Sequence, residues 1–396
     1  MSRQALAGIR VVDLSRIMAG PYCTMLLGDM GADVIKIEQP GRGDDTRAWG
    51  PPFTQGESAY YLSINRNKRS LTLDLKSDAG REVLWRLVDS ADVLVENFSP
   101  GTATRLGFGF EDVRERRPAI VYCSISGFGQ EGPGRDRTAY DQILQGVSGL
   151  MSVTGPADGD PFRFGVPIAD IAAGMFSAYA IVAALFHRER TGEGQYIDSS
   201  LLGGQMALLT YQAGIFFTTN EAPKRTGNAH AIVAPYQLFR TADGYVNITA
   251  GNDRLFARLC TALGLPHLID DPRFRDNASR ISNLPALVAE IEGVLTTYDT
   301  RTIMEMLEHA AVPCGPINTV PEAFADPQVA YYNLHQHVPH PTLGTVDQVG
   351  FPYALSATPC DIRLAPPTLG QHTDEVLGEL GFTTEQIAEW RQQGSV

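Results

Sequence analysis

The first half of the chain alternates strand-like and helix-like segments, which constrains its fold more than any other feature. Apolar segments predict five strands at residues 9–14, 33–38, 70–75, 93–96 and 120–126. Helices are predicted between them, and Asp78–Ser90 is the clearest amphipathic one. Such alternation is typical of an α/β fold with a parallel sheet, which binds ligands at the carboxyl ends of its strands. We therefore predict a large α/β domain with a ligand crevice at that edge.

The pattern changes after residue 200, where a smaller domain is predicted to begin. A long helix is predicted at residues 201–217, and a hairpin is predicted around Asp243-Gly244. Further helices are predicted at residues 255–263, 284–298 and 301–310.

Charge and cysteine content exclude several classes of protein. A formal net charge of −13 disfavours nonspecific nucleic-acid binding, which needs a dense Lys/Arg surface. The five cysteines lie far apart without a C-x-x-C pair, which fits neither a disulfide framework nor a zinc knuckle. We expect no signal peptide, no membrane partner and a cytoplasmic location. The apolar stretch at residues 171–186 is shorter than the ~20 residues that a bilayer requires, so we predict a buried helix.

One glycine-rich motif resembles a dinucleotide-binding loop. Gly127–Gly132 matches G-x-G-x-x-G after a predicted strand. A dinucleotide site needs a helix to begin there, but Pro133-Gly134 and the polar residues after them show no helical periodicity. We therefore predict a flexible loop.

Asp170 lies directly before the helix predicted at Ile171, which is an N-cap position. Its carboxylate would satisfy exposed helix amides in a purely structural role. Alternatively, a carboxylate kept ionised by the positive end of the helix dipole attacks a thioester. Sequence geometry alone leaves both interpretations open.

The segment Asn65–Arg69 places three cations in five residues of an acidic chain. It is a candidate for binding a diphosphate or 3′-phosphate through charge-assisted hydrogen bonds. Arg105 is predicted to serve the same pocket, and Phe98 offers a ring face to adenine.

Histidines contribute little to the predicted site. The first one is His187, so the N-terminal α/β segment has no imidazole base. His335, His337 and His340 lie beside Pro339 and Pro341, which predicts a solvated loop and no metal site.

Several segments occur in the order found in class III CoA-transferases, the family of formyl-CoA transferase and carnitine CoA-transferase. They are residues 19–38, 43–44, 67–70, 95–101, 139–141, 192–198, 313–318 and 369–377. The sequence resembles this family over nearly its whole length. The resemblance implies an enzyme without a permanently bound cofactor, which uses coenzyme A as substrate and covalent intermediate. Its partners are then acyl-CoA and small carboxylic acids.

The resemblance also implies the class III CoA-transferase fold. This is a Rossmann-like large α/β domain with a smaller α+β domain, assembled as an interlocked homodimer. The implied ranges are 1–200 for the large CoA-binding domain, 201–224 for a linker helix and loop, 225–325 for the small domain, and 326–396 for a segment returning to the large domain.

Individual residues take roles from the same resemblance. Asp170 falls on the family's nucleophilic aspartate, and Tyr140 lies at the thioester end. The residues on CoA-contacting segments are Met18, Ala19, Gln39, Leu73, Asp74, Leu75, Lys76, Asn97, Phe98, Arg105, Thr138, Ala139, Tyr140 and Asp141. Gln39 stands where several members have an arginine, and Arg42 or Arg69 is the candidate substitute.

Within the family, residues 43–52, 57–67 and 227–236 look most like the succinyl-CoA:glutarate type. This implies CoA transfer from succinyl-CoA to a dicarboxylic acid through a mixed anhydride and an aspartyl-CoA thioester. Arg47, Arg225 and His230 are the candidate contacts for the acid's second carboxylate. Two alternatives stay open: an acyl-CoA racemase or epimerase, whose histidine position is taken by Tyr140, and a noncatalytic CoA-binding protein.

Overall fold

The described part of the chain, residues 4–396 of the computed structural model, divides into two compact units. The first comprises the residues up to Leu150, Phe164–Thr218 and Ala330–Val396, and the second comprises Met151–Arg163 and Thr219–Val329. Residues 151–163 thus group with the second unit, although the implied large domain includes them.

The described residues contain thirteen strands. They are β1 (Arg10–Asp13), β2 (Asp33–Glu38), β3 (Phe53–Thr54), β4 (Glu57–Ser58), β5 (Lys68–Thr72), β6 (Val93–Glu96), β7 (Val121–Ser126), β8 (Gln195–Ser200), β9 (Tyr236–Arg240), β10 (Tyr245–Thr249), β11 (Cys314–Pro316), β12 (His335–His340) and β13 (Gly344–Val349).

The same part of the chain contains seventeen α-helices. They are α1 (Ala19–Asp29), α2 (Ala59–Ile64), α3 (Asp78–Ser90), α4 (Thr102–Arg105), α5 (Phe110–Arg116), α6 (Asp141–Val147), α7 (Ile168–Thr191), α8 (Leu201–Leu208), α9 (Thr210–Thr219), α10 (Asp253–Ala262), α11 (Asn277–Ser282), α12 (Leu284–Leu295), α13 (Thr300–His309), α14 (Val320–Phe324), α15 (Pro327–Tyr331), α16 (Thr373–Glu379) and α17 (Thr384–Gln392). Short 3-10 helices occupy Asp45–Ala48, Leu150–Val153 and Pro266–Leu268.

Six parallel strands form the sheet of the first unit, in the order β5-β2-β1-β6-β7-β8. Counted along the chain, this is the third, second, first, fourth, fifth and sixth strand, the order of doubly wound dinucleotide-binding sheets. The order reverses between β1 and β6, so the loops after these two strands diverge and leave a crevice. The predicted Rossmann-like α/β sheet is confirmed.

The structure corrects three predicted elements of this unit. The strand predicted at residues 70–75 is β5, which begins at Lys68 because carboxylates of the fold, the buried Asp13 and the partly exposed Asp33, pair with its cations. The sequence does not reveal β8, a polar and largely exposed strand at the sheet edge. The helix predicted at 201–217 is two helices, α8 and α9, with a break at Thr210, whose φ is 40°.

Apolar side chains cover both faces of the sheet, so most of its strands are buried on both sides. Val12 and Ile35 face the core formed with α3, α5 and α16. Val11 and Val34, one residue earlier on the same strands, face the core formed with α1 and α7. Each such side chain contributes about 1.5–3 kcal/mol when fully buried.

Helix α7 carries Asp170 and packs closely on α1. Gly174 permits this approach, since a Cβ there would lie 2.7 Å from the carbonyl oxygen of Ala19. By length and composition α7 would be able to span a bilayer, and 50% of its most apolar 18-residue window is buried in the fold. The predicted buried helix is therefore longer than expected and exposes apolar residues such as Tyr179 and Phe186.

The second unit has its own sheet and core. Strands β9 and β10 form the predicted hairpin, and β11 pairs with β10 in antiparallel register. The predicted helices correspond to α10, α12 and α13, which pack with the sheet around Phe239, Phe256 and Leu287. This unit has the α+β character that the sequence predicts.

Candidate active site

A cavity of about 470 Å³ lies at the carboxyl ends of β1 and β6, where the strand order reverses. We call it the Asp170 cavity. Its walls include Arg16–Ala19 after β1 and Asn97–Pro100 after β6. The predicted site residues that line it are Met18, Ala19, Asn97, Phe98, Arg105, Thr138, Ala139, Tyr140 and Asp170. The fold therefore brings segments more than 150 residues apart to the predicted edge of the sheet.

A second cavity of about 400 Å³ contains the remaining predicted CoA contacts except Asp141. We call it the Gln39 cavity. Its predicted residues are Gln39, Leu73, Asp74, Leu75 and Lys76. Arg16 and Phe98 line both cavities, so the two are neighbours. Together they offer an elongated site with Phe98 between its two parts.

Asp170 is the third residue of α7, whereas the sequence predicts it as the N-cap. The helix begins at Ile168, and Pro167 takes the capping position without a side-chain hydrogen bond. The Asp141 carboxylate accepts a hydrogen bond of 2.7 Å from the Ala169 amide instead. Asp141 thus satisfies a helix amide, and its other oxygen accepts a 2.6 Å bond from Gln145. The Asp170 carboxylate is left without a hydrogen-bond partner among the described residues.

The electrostatic setting of Asp170 also differs from the prediction. Burial and the neighbouring Asp141 carboxylate raise the pKa of Asp170 to about 7. In one of the two interpretations open from the sequence, the helix dipole keeps this carboxylate ionised. Near neutral pH it is instead divided between its two protonation states. A higher pKa makes the ionised form a stronger nucleophile than an ordinary carboxylate.

Four arginines line the Asp170 cavity, and only one of them is among the predicted contacts. We call Arg16, Arg105, Arg135 and Arg137 the cavity arginines. They are exposed and have few partners: Arg105 donates to Thr102, Arg16 is 3.4 Å from Asp45, and Arg137 lies over the Phe128 ring. Exposed guanidinium groups with few internal partners are available to bind anionic ligands. Arg16 and Arg105 lie far in sequence from Arg135 and Arg137, so only the fold brings the four together.

The cations of Asn65–Arg69 have a different role from the predicted one. We call Arg66, Lys68 and Arg69 the buried cations. Arg66 makes a bidentate pair with Asp29, and Lys68 lies 3.2 Å from Asp13 with both side chains fully buried. Arg69 pairs with Asp33, Glu375 and Glu379 and so cannot replace the arginine missing at Gln39. This segment stabilises the sheet and does not line either cavity.

Arg47 also has internal partners. Its guanidinium donates to Glu38, Glu57, the Tyr61 hydroxyl and the Pro367 carbonyl, and it lines neither cavity. The structure therefore opposes the prediction that Arg47 binds the acid substrate.

Arg225 and His230 lie in the second unit. Arg225 donates to the carbonyls of Pro156 and Gly159, and His230 stacks on Tyr236 at 5.1 Å. Their proposed contacts with the acid stay predictions.

The glycine-rich loop has the conformation predicted for it. No helix follows Gly132 until α6 begins at Asp141, so the loop is not a dinucleotide-binding turn. Gly127 is needed for a close approach, since a Cβ there would lie 2.2 Å from the Ala139 Cβ. The Gly129 and Gln130 amides are already bonded to Ser126 and Asp198.

The histidines near the C-terminus lie on a strand and not in the predicted loop. His335 and His337 project from one face of β12, and Asp347 is paired with His337 across the hairpin. These three side chains are close enough to group around a cation. The exposed Asp347 carboxylate is engaged by His337, which lowers the pKa of Asp347.

Tyr60 lines neither cavity but lies within electrostatic range of Asp170 and Asp141, which the sequence does not reveal. Burial and the Asp170 and Asp141 carboxylates raise the pKa of its hydroxyl, which places a protonated phenol near the predicted nucleophile. Nothing in the local sequence of α2 indicates this, because the proximity to the two carboxylates arises from tertiary folding.

Comparison with known proteins assigns the family. The family model of CoA-transferase family III matches residues 6–373. The chain belongs to CoA-transferase family III. It is 44% identical over 379 residues to succinyl-CoA:glutarate CoA-transferase of Mus musculus, covering 96% of this chain and 87% of the mouse protein. It is also 44% identical over 381 residues to succinate–glutarate CoA-transferase of Agrobacterium fabrum, covering 95% of each.

Solved structures agree with this assignment. The crystal structure of a CAIB/BAIF family protein from Brucella suis has a TM-score of 0.85 and 40% identity, covering 95% of this chain and 99% of that one. This transferase therefore has the chain fold of the CoA-transferase family III, and it is an enzyme that uses CoA as a substrate.

Proposed function

We propose that this transferase moves CoA from succinyl-CoA to a dicarboxylic acid such as glutarate, with Asp170 as the nucleophile. The observation that carries the proposal is an Asp170 carboxylate without a hydrogen-bond partner in residues 4–396, in an arginine-lined cavity at the switch point of the sheet. The identity to two glutarate-transferring relatives supports the substrates. The racemase alternative needs a histidine base, and no histidine is among the described residues that line either cavity.

The donor half-reaction begins with ionised Asp170. One carboxylate oxygen attacks the thioester carbonyl of succinyl-CoA, forming a mixed anhydride as the C–S bond breaks and CoA thiolate leaves. The thiolate then attacks Cγ of Asp170, which gives an aspartyl-CoA thioester and releases succinate. The succinate carries away one of the two aspartate oxygens.

The acceptor half-reaction reverses these steps. A carboxylate oxygen of the acceptor attacks Cγ of the aspartyl-CoA thioester, forming a new anhydride and again releasing thiolate. The thiolate attacks the acceptor carbonyl, which produces the new acyl-CoA and restores the Asp170 carboxylate with an oxygen from the acceptor. One thioester is exchanged for another, so the reaction needs no ATP. The protein supplies positioning and charge stabilisation.

In this proposal, each of the two cavities holds a different part of the CoA molecule. The thioester lies in the Asp170 cavity beside Tyr140, and the nucleotide end extends toward the Gln39 cavity past the Phe98 ring. The cavity arginines neutralise the phosphates and the distal carboxylate of the acid. Arg225 and His230 are proposed as further contacts with that carboxylate.

We also propose that the transferase is a cytoplasmic homodimer. The apolar residues Met175, Tyr179, Val182 and Phe186 recur at helical spacing on α7 and are exposed in the single chain. Contiguous apolar surface of this kind marks a protein interface, and a second copy of the chain is the partner that the family resemblance implies. Light scattering at several protein concentrations measures the assembly.

The proposed function is tested by following glutaryl-CoA formation from succinyl-CoA and glutarate by mass spectrometry. The natural chain is expected to form glutaryl-CoA without ATP, and Asp170→Asn is expected to lose at least about a thousandfold in rate. Asp78→Asn, which removes an exposed carboxylate on α3, is the matched control and should retain full rate. Equal rates for Asp170→Asn and the natural chain would refute the assignment.

A further inference from the structure

The loop between β1 and α1, residues Leu14–Met18, forms one wall of both cavities, yet its backbone is strained. Ile17 has φ of 71°, in the left-handed region that β-branched residues avoid. Arg16, Ile17 and Met18 all line the Asp170 cavity. A strained residue at a ligand site persists only when its surroundings hold it there.

The side chain of Asp44 holds the strained peptide. Both of its carboxylate oxygens lie 3.2 Å from the Ile17 amide nitrogen and accept its hydrogen bond. One oxygen also accepts bonds from the amide and hydroxyl of Thr46, which fixes the orientation of the carboxylate. Asp44 therefore binds the backbone amide of Ile17, the residue whose φ is strained.

Lys36 completes the restraint from within the sheet. Its ammonium group is 2.9 Å from Asp44 and 2.9 Å from the Ser15 carbonyl, and both charged side chains are fully buried. Lys36 thus restrains the loop in two ways. It donates directly to the Ser15 carbonyl, and it pairs with Asp44, which binds the Ile17 amide. Burial alone would raise the pKa of Asp44. The charge of Lys36 and the hydrogen bonds from Thr46 outweigh this effect and lower the pKa of Asp44 to about 2.

The other side of the loop is held by Asn97. Its amide nitrogen donates to the Arg16 carbonyl at 2.7 Å, and its oxygen accepts from the Arg16 amide at 2.8 Å. Both ends of the Asn97 side chain are therefore occupied by the loop. Asn97 comes directly after β6, so the two loops of the switch point are locked together.

We propose that Asp44 and Lys36 are positioning residues that hold the β1–α1 loop in its strained conformation and so preform the acyl-CoA site. This proposal depends on the proposed function only because the proposed function identifies the ligand as acyl-CoA. Both residues are among those that line the Gln39 cavity, but neither side chain reaches the reacting atoms at Asp170; they hold the loop through the Ile17 amide and the Ser15 carbonyl. A preformed wall reduces the ordering that acyl-CoA binding requires, so the expected effect is on KM more than on kcat.

The first test compares Asp44→Asn with the natural chain. The substitution presents a neutral amide to the Lys36 ammonium in place of a carboxylate, so the restraint weakens. We expect the amides of residues 16–19 to exchange hydrogen faster in the free protein, and KM for succinyl-CoA to rise about tenfold with a smaller change in kcat. Unchanged exchange at these amides would overturn the proposal, whether or not the natural chain transfers CoA.

The second test separates strain from general destabilisation. Glycine adopts positive φ without cost, whereas alanine does not. In the Asp44→Asn background, Ile17→Gly should restore KM to within about threefold of the natural value, and Ile17→Ala should not. The melting temperature should remain low in both, because Lys36 is still poorly paired. Equal KM values for the two double variants would contradict a role through Ile17.

A third comparison remains decisive if Asp44→Asn does not fold. In the natural background, Ile17→Gly and Ile17→Ala both remove the side chain beyond Cβ, but only glycine relieves the strained φ. Glycine usually destabilises a protein relative to alanine, so a higher melting temperature for Ile17→Gly supports the strained loop. A lower melting temperature for Ile17→Gly than for Ile17→Ala would overturn it. This readout needs no substrate and is independent of the proposed function.

Discussion

The first unit contains two groups of cations, one clustered in sequence and one dispersed along the chain, and the two groups differ in their surroundings. The buried cations, Arg66, Lys68 and Arg69, each have carboxylate partners supplied by the first unit itself. The cavity arginines lie at the open edge of the same sheet and retain free donor capacity beside Asp170. The difference teaches that local density of positive charge does not identify an anion site. What matters is whether the fold has already supplied the counter-ions.

The largest expected effect is on stability, from Lys68→Met. Removing Lys68 leaves the fully buried Asp13 carboxylate without its nearest counter-ion, which costs about 3–5 kcal/mol. Urea unfolding measures the change. Lys76→Met, at an exposed lysine that lines the Gln39 cavity, should change stability by less than about 0.5 kcal/mol. Similar unfolding free energies for the two variants would break the distinction between buried and cavity cations.

The next effect is on acyl-CoA binding, from Arg105→Gln and Arg137→Gln. Each variant should raise KM for succinyl-CoA about tenfold, because a charge-assisted bond to the ligand is lost. The melting temperature should not change, since neither guanidinium supports the fold. Arg86→Gln removes an exposed arginine on α3 and serves as the control with unchanged KM. If neither substitution changed KM, the phosphates of succinyl-CoA would bind at a place other than these two arginines.

A second effect on stability concerns the contribution of Asp170. Its raised pKa means that the folded protein binds the proton more tightly than the unfolded chain does. This contribution is present below about pH 4 and is lost as pH rises to about 7. Asp170→Asn should therefore be more stable than the natural chain by roughly 3–4 kcal/mol at pH 8, because a pKa raised by about 3 units corresponds to ~1.4 kcal/mol per unit, and the difference should be under about 1 kcal/mol near pH 4. Thermal melts at both pH values measure it, and a constant difference would contradict the raised pKa.

The smallest effect is a shift in the pH profile. The rate should fall as pH drops below about 7, where Asp170 becomes protonated. Removing the neighbouring negative charge with Asp141→Asn should lower the pKa of Asp170 and move this acid limb to lower pH. The ratio kcat/KM measured from pH 5 to about pH 8 reports the shift. A shift to higher pH would mean that Asp141 does not act through its charge.

Much of the fold follows from local sequence because most strands of the sheet are apolar segments of the expected length. β1, β2, β6 and β7 lie where periodicity predicts them. β5 and β8 depart from the pattern for opposite reasons: β5 buries cations whose partners come from distant segments, and β8 is a polar edge strand. Such features depend on tertiary partners and are not encoded locally.

The site was predictable to the extent that family motifs mark it. Asp170, Tyr140 and, except for Asp141, the residues predicted to contact CoA line two neighbouring cavities, and their roles stay predictions. The raised pKa of Asp170 could not be predicted, since Asp141 is 29 residues away in sequence and α7 begins three residues earlier than its apolar pattern suggests. The position of Tyr60 and the restraint of Ile17 by Asp44 likewise require the folded chain.

Intact-protein mass spectrometry after mixing with succinyl-CoA tests the central claim most directly. The natural chain should gain the mass of a CoA thioester, the adduct should disappear with hydroxylamine or glutarate, and Asp170→Asn should gain none. An adduct of equal abundance on Asp170→Asn, or turnover by the natural chain with no adduct under rapid quenching, would contradict covalent transfer through Asp170.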